Sequence, residues 1–222
     1  MVTAAAVGDL VLRVDGTKPV ALETVEALQN VCDRAEDQRG PGLLVVHVSG
    51  RPEPGWAKGF SVGLLTKWER AVRRLEHLDR MTVAVAAGVC GGTAFDVLMA
   101  TDVRIALAGA AFVVTSTGDA SWPGMALYRL ARQSSGAPLR KAALLSTSVD
   151  AEAAAAAGLI DAVVDRADEA LAELAAAASS VTGTELAIRR RLILDAAQHS
   201  FEEALGSHLA ACDRALRRAA AS

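Results

Sequence analysis

The chain has 222 residues, 52% of them hydrophobic and 22% charged, enough for one substantial core and with nothing in its length that demands two independent domains. A net charge of −3 and a pI near 5.8 exclude nucleic acid or an anionic membrane as the main partner, since both need a basic surface. Cys32, Cys90 and Cys212 are odd in number and far apart, so neither a disulfide framework nor a metal-ligand spacing can be read, and buried thiols in a reducing compartment are expected. The opening MVTAAAVGDL lacks the basic start and long apolar core of a signal peptide. No segment reaches the roughly 18 consecutive apolar residues of a membrane span, so a soluble, cytoplasmic protein is expected.

Leu10 to Val14 alternates as a short strand, and Gly16 to Pro19 turns into a helical stripe of Leu22, Val25, Leu28, Val31 and Ala35. After Gly40-Pro41-Gly42, the run Leu43 to Val48 reads as a buried strand. His47 within it reads as a core or edge histidine, because no nucleophile or metal partner is near. Ser49 to Gly59 is a loop by its Pro and Gly content and delivers Phe60-Ser61-Val62-Gly63-Leu64-Leu65. Thr66 to Leu78 is a helix with Trp68, Val72, Leu75 and Leu78 on its apolar face and Lys67, Glu69, Arg73, Arg74 and Glu76 on the other.

The stretch Thr82 to Asp102, TVAVAAGVCGGTAFDVLMATD, joins a buried strand to a helix through Gly88, Gly91 and Gly92. From Thr93 a short, largely buried helix begins, whose first turn presents backbone N–H donors with Asp96 beside them. Two readings stay open. The N–H groups polarise a carbonyl in an oxyanion site, or Asp96 merely favours the first turn of an ordinary corner.

Val103 to Ala106 and Ala111 to Val114 follow as strands, then the polar loop Thr115 to Asp119 and Trp122-Pro123-Gly124 before a helix from Met125 to Gln133. Pro138 to Thr147 is a further helix. Asp150 caps another that Gly158 ends, and Leu159 to Val164 is the last strand. Beyond Asp165 the chain is Ala-rich and helical, broken at Ser179 to Gly183 and near Ser200, with capping boxes Thr182-x-x-Glu185 and Ser200-x-x-Glu203. The division read here is an α/β core over 1–165 and a helical oligomerisation region over 166–222.

The central stretch, the Lys58-x-Phe60-x-x-Gly63 segment and the phrase LLSTSVDAEAAAAAGLIDAVVD together resemble the crotonase (enoyl-CoA hydratase/isomerase) superfamily over about Leu10 to His208. The resemblance implies a crotonase-like α/β fold, a spiral of repeated β-β-α units with a helical C-terminal region packing in a homotrimer or hexamer. It implies an acyl-CoA thioester as partner, with coenzyme A part of the substrate and no separate cofactor or metal. By the matching positions, the N–H groups of Leu64 and Thr93 are the two oxyanion donors and Asp96 stands at the first catalytic glutamate. Lys58, Phe60, Val62, Gly63, Gly92 and Trp122 fall among the substrate-binding positions. Lys58 is either a CoA phosphate or ribose contact or a solvated loop charge. Arg189, Arg190, Arg191, Arg214, Arg217 and Arg218 either meet CoA phosphates or form a solvated face or inter-subunit ion pairs.

Besides Thr93, which stands in the family's run of glycines and leaves its backbone N–H as the donor, three positions depart from the family. Leu65 replaces its loop aspartate, Asp96 is one methylene shorter than glutamate, and Ser116, fourteen residues after Asp102, stands where the second catalytic glutamate belongs. Asp119 is the nearest replacement carboxylate, or else a turn aspartate bonding its own backbone. Two-base addition of water to an enoyl thioester needs a second carboxylate, so simple hydration should be slow. GGTAFDVLMATD and WPGMALYRL are most similar to the branch serving dihydroxyphenylglycine formation in glycopeptide antibiotic pathways. That likeness implies a dehydratase acting on a polyketide thioester, working with a type III polyketide synthase and a second crotonase-like protein. The other implication is a catalytically reduced paralogue that binds an acyl-CoA or stimulates the synthase.

Overall fold

The computed structural model describes residues 10–38, 40, 42–53, 55–117, 120–121, 124–134, 136–181, 183–196 and 198–220. Its first three strands lie parallel: β1 (Leu10–Asp15) beside β2 (Leu43–Gly50), and β2 beside β3 (Met81–Cys90), in the registers Val14↔Val48 and Val48↔Ala86. Parallel neighbours require a crossover, and α1 (Leu22–Asp37) and α2 (Val62–Leu75) supply the two. α3 (Thr93–Leu98) leads into β4 (Val103–Leu107). The chain goes on through β5 (Ala111–Phe112), β6 (Ser116–Thr117), β7 (Ala120–Ser121), α4 (Ala126–Gln133), α5 (Ala137–Leu145), β8 (Val149–Asp150), α6 (Ala151–Ala156) and β9 (Ala162–Val164). It ends in α7 (Asp168–Ser179), α8 (Gly183–Ala196) and α9 (Phe201–Ala220). The main row runs β1-β2-β3-β4-β9, all parallel, and β5 leaves it to pair with the end of β3 and, antiparallel, with β8. This is the expected α/β class.

Successive side chains in a strand point to opposite faces, and here both faces are buried. Leu44, Val46, Val48, Ala84 and Ala86 face a core shared with α1, α2 and α3, while Leu43, Val45, Val83, Val85 and Ile105 face the other way. That second face is covered by Ala170, Leu171, Leu174 and Ala178 of α7. The helical stretch after residue 165 therefore begins as a layer of the core. α8 is then fixed by Arg190, which donates to both Asp102 oxygens at 2.6 and 2.7 Å and to the Leu78 and Arg80 carbonyls. Gly183 lets the start of α8 approach the Asp79 carbonyl closer than any Cβ would permit. The Ser200/Glu203 capping box forms as read, with Ser200 N–H donating to Glu203 and Glu203 N–H to Ser200 Oγ; Thr182 of the other box lies outside the described residues.

Two of the element boundaries that differ from expectation bear on the site. α2 starts at Val62 rather than Thr66, because the Ser61 side chain accepts the Leu64 N–H and caps the helix earlier. β3 runs past Ala87 to Cys90, because Gly88 at φ 61° lets the strand turn from β4 towards β5 while a register shift at Ser49/Gly50 keeps it beside β2. Cys32 and Cys90 are buried as expected, whereas Cys212 on α9 is exposed. Burial pushes the Cys90 thiol up to about 12 and Cys32 to about 11, so neither is a ready nucleophile.

Gly16 follows β1 and donates its N–H to Ser49 O at 2.6 Å. A Cβ there would lie 2.6 Å from Gly91 O, 2.9 Å from the Ala94 Cβ and nearer still to Gly50 O. Gly16→Ala must push backbone against backbone, and a loss of about 1–3 kcal/mol in urea unfolding is expected, as for an overpacked core. An unchanged midpoint would show that the contact yields without cost.

His47 sits half-buried between Arg13 and Val85, and desolvation, helped by Arg13, lowers its pKa below the ordinary 6.5. Below pH 6.5 the unfolded chain takes up a proton that the fold resists, so stability falls as the pH drops from about 6.5 to the folded-state value. The His47→Gln variant should lose this slope between about pH 7 and 5 in urea midpoints. A slope identical to wild type would assign it to other groups.

Candidate functional site

Three glycine backbones meet at the ends of the first three strands. Gly91 N–H donates to Gly50 O at 2.9 Å, Gly16 lies against both, and Gly92, at φ 56° and ψ −131°, turns the chain into α3. That conformation is open to glycine alone, so the start of the helix is fixed by composition. Thr93 is the first helical residue, where the backbone N–H has no intrahelical acceptor, and it is 1% exposed. Asp96, one turn on, is fully buried, and the Trp68 indole N–H of α2 donates to its Oδ2 at 3.0 Å.

α3 is also held from its far end. Arg104 on β4 directs its guanidinium at the Leu98, Met99, Thr101 and Leu159 carbonyls, at 3.1–3.4 Å, and at the Gln133 side chain. Burial lowers its pKa, against the pull of Asp161, Asp102 and Glu76. Asp102 accepts from both the N–H and the hydroxyl of Thr82 at 2.9 Å, tying the exit of α3 to the start of β3.

The predicted residues divide. Leu64 lies one turn before Trp68, so α2 brings it towards α3, but its N–H donates to Ser61 Oγ at 3.1 Å and is occupied by the helix cap. Phe60 stacks edge-on against Trp56 at 5.2 Å and packs on the same core as Ala94 and Phe95. Trp56 Nε1–H donates to Ser116 O at 3.4 Å, so the Lys58 loop and Ser116 are neighbours, and the Ser116 side chain is exposed. Lys58 and Gly63 are exposed as well, while Gly92 is buried. Val62 is 81% exposed and lines a cleft of about 680 Å³ between α2 and the segment 124–129, with Leu65, Glu69, Met125 and Tyr128. Asp119 and Trp122 lie outside the described residues.

Several charged side chains are paired within the chain. Glu76 is 6% exposed and Arg129 is 4% exposed, and they pair at 2.9 Å, with Glu69 on the second guanidinium nitrogen at 2.9 Å. Burial opposes the Arg129 charge, and Glu76 and Glu69 outweigh it, so its pKa lies above the usual range. Arg74 pairs with Asp33 and Glu36 of α1. Each of the six C-terminal arginines singled out has a carboxylate of the chain within reach: Asp102 for Arg190, Glu185 for Arg189, Arg214 and Arg218, Asp195 for Arg191, and Asp213 for Arg217. Their carboxylate partners thus lie within the chain itself rather than across a subunit boundary. Among the described residues no group of His, Cys, Asp or Glu could hold a metal ion, and no helix is long and apolar enough to cross a membrane.

A parallel sheet flanked by helices, with a glycine turn that buries a carboxylate at the start of a short helix, defines a class of α/β protein that other chains share. The enoyl-CoA hydratase/isomerase family matches residues 58–218, and this chain belongs to that family. It is 50% identical over 215 residues to a protein of Amycolatopsis orientalis described as an enoyl-CoA hydratase, covering 97% of this chain and 99% of that one. Among solved structures, a protein of Pseudomonas aeruginosa is 27% identical at a TM-score of 0.75, over 91% of this chain and 94% of that one. An enoyl-CoA hydratase from a Polaromonas species reaches 0.79 at 18% identity, over 97% and 90%, a likeness of fold.

Trp68 is the residue that sequence reasoning placed only in a core. A buried indole N–H is a donor without an acceptor function and has to find an oxygen, which was the available signal. Trp68→Phe keeps an aromatic side chain but deletes the donor and shrinks the ring system, so a loss of at least about 1–3 kcal/mol is expected. In a double-mutant cycle with Asp96→Ala, which removes the acceptor, the two should couple by about 0.5 kcal/mol or more. Additivity would mean that the contact carries no energy.

Proposed function

We propose that this chain is a dehydratase acting on a CoA thioester, of the DpgB-like branch that its sequence resembles, serving the formation of 3,5-dihydroxyphenylacetyl-CoA from a malonyl-CoA-derived polyketide thioester. The observation that carries the reading is the buried Asp96 carboxyl, oriented by Trp68 beside the Thr93 N–H in a chain of the hydratase family. The Thr93 N–H stabilises negative charge developing on the thioester oxygen. Asp96 takes the proton from the carbon next to the thioester, the double bond forms, and the carbon–oxygen bond to the β-hydroxyl breaks. The same proton passes to the departing oxygen, so that water leaves and one carboxyl serves both transfers. Formation of an aromatic ring favours the departure, which is why a single base suffices. An acyl-CoA as substrate, a type III polyketide synthase as its supplier and a homotrimer or hexamer as the assembly belong to this proposal.

A second reading is favoured by one contact. The Leu64 N–H is committed to Ser61, and Ser116 is not a carboxylate, which suits a catalytically reduced paralogue that binds an acyl-CoA or its synthase and raises the yield. Single-turnover dehydration of a purified cyclic β-hydroxy thioester by this protein alone separates the two. Asp96→Asn can still accept the Trp68 N–H but cannot cycle a proton, so folding should be preserved and dehydration should fall by at least about 10²-fold. Crotonyl-CoA hydration should be slower than an ordinary hydratase rate by about 10²- to 10⁴-fold. Turnover unchanged in Asp96→Asn would sink the catalytic assignment.

A further inference from the structure

Buried polar side chains in this fold find partners almost everywhere. Thr101, 4% exposed, donates to Leu98 O at 2.8 Å, and Thr82, 1% exposed, donates to Asp102. Glu76, Arg104 and Arg129 are each satisfied. Thr93 and Thr115, at 1% and 9% exposure, are different: the Oγ1 of each has no hydrogen-bonding partner among the described residues.

The two lie at one place. β5 runs beside the end of β3 in the register Cys90↔Phe112, and Val113 N–H donates to Cys90 O at 3.0 Å, so the segment that follows passes over the glycine turn. A Cβ on Gly91 would come within 2.9 Å of the Thr115 methyl. Thr93 stands two residues after Gly91 and three before Asp96, a spacing that puts Thr93 and Asp96 on one face of the helix. Two unpartnered hydroxyls thus flank the turn that presents the Asp96 carboxyl. Leaving a buried hydroxyl unpaired opposes folding, and valine would fill the same volume without that loss. A pair of such hydroxyls at one turn is accounted for by a partner other than the described residues.

We infer that the Thr93 and Thr115 hydroxyls determine specificity by hydrogen-bonding an oxygen on the acyl group of the thioester. The inference rests on the acyl-CoA reading of the site given above. A hydroxyl can both donate and accept, so the matching group is a neutral hydroxyl or keto oxygen near the reacting carbons. An unsubstituted alkyl or alkenyl chain has no such atom and would seal the two hydroxyls away unpaired, which disfavours it.

The test is the ratio of affinities for 3-hydroxybutyryl-CoA and butyryl-CoA, which differ by one hydroxyl, measured by calorimetry on the wild type, Thr93→Val, Thr115→Val and the double variant. Valine keeps the shape and, at position 93, the backbone N–H. The wild type should prefer the hydroxylated thioester by roughly tenfold, each single variant should reduce the preference, and the double variant should bring the ratio near one. Thermal midpoints of the valine variants should equal or exceed that of the wild type, since a buried unpaired polar group is removed. Equal binding of both thioesters by the wild type, or a preference that survives in a folded double variant, overturns the specificity assignment while leaving the acyl-CoA reading intact. Failure of both thioesters to bind the folded wild type overturns the acyl-CoA reading, and this inference with it.

Discussion

The close approach of three backbones, at Gly16, Gly50 and Gly91, is the constraint on which the site depends. β1, β2 and β3 are locked in parallel register by their ladders, so their ends must come together, and only residues without a Cβ let the following turns pass through the same space. Gly91 N–H to Gly50 O and Gly16 N–H to Ser49 O close the junction. Once it is closed, the chain has one way to leave β3, through the positive φ of Gly92 into α3. The position of Thr93 and Asp96 is thus determined by sheet register rather than by contacts those residues make.

Direction, by contrast, is given by partners from distant parts of the chain. A six-residue helix is too short to be stable alone, so α3 requires tertiary support at both ends. Trp68 supplies it to the first turn through Asp96, and Arg104 to the last turn by donating to the carbonyls that a helix end leaves open. Asp102 extends the support outward, since the same carboxylate that holds Thr82 receives Arg190 from α8. A carboxyl held in one rotamer by an indole donor on one helix, with its own helix pinned at the other end, is preorganised in the sense that reaction in its field requires little rearrangement of the protein.

What was legible in the sequence follows from which forces are local. Leu43 to Val48 and Thr82 to Ala87 were readable as strands because burial on both faces leaves a continuous apolar run, and the Asp150 and Ser200 caps because their partners lie three residues away. The start of α2 was missed because Val62-Gly63 reads as loop composition, and the Ser61 cap that overrides it leaves only a weak pattern. Glu76 was placed only on the polar face of its helix and Arg129 was not singled out, because their pairing spans 53 residues and no periodicity encodes it. At the site, the burial of α3 was visible in its apolar spacing, and the loss of a carboxylate at Ser116 was visible in the residue itself. The Trp68 contact and the occupied Leu64 N–H were not, since both arise from how α2 meets its neighbours.

The same distinction narrows the surface through which copies of the chain could meet. α7 is spent on the second face of the sheet, and α8 is tied down by Arg190 and by the close passage of Gly183 over Asp79. α9 touches the rest mainly through α8, where Arg214 reaches Glu185 at 2.7 Å. It leaves Phe201, Leu205, Leu209 and Leu216 between 40% and 75% exposed. Their spacings of four, four and seven keep them on one side of the helix. An apolar stripe of that length is uncommon on a free surface. Within the stretch 166–222, then, α7 and α8 belong to the fold that carries the site, and the longest exposed apolar stripe lies on α9.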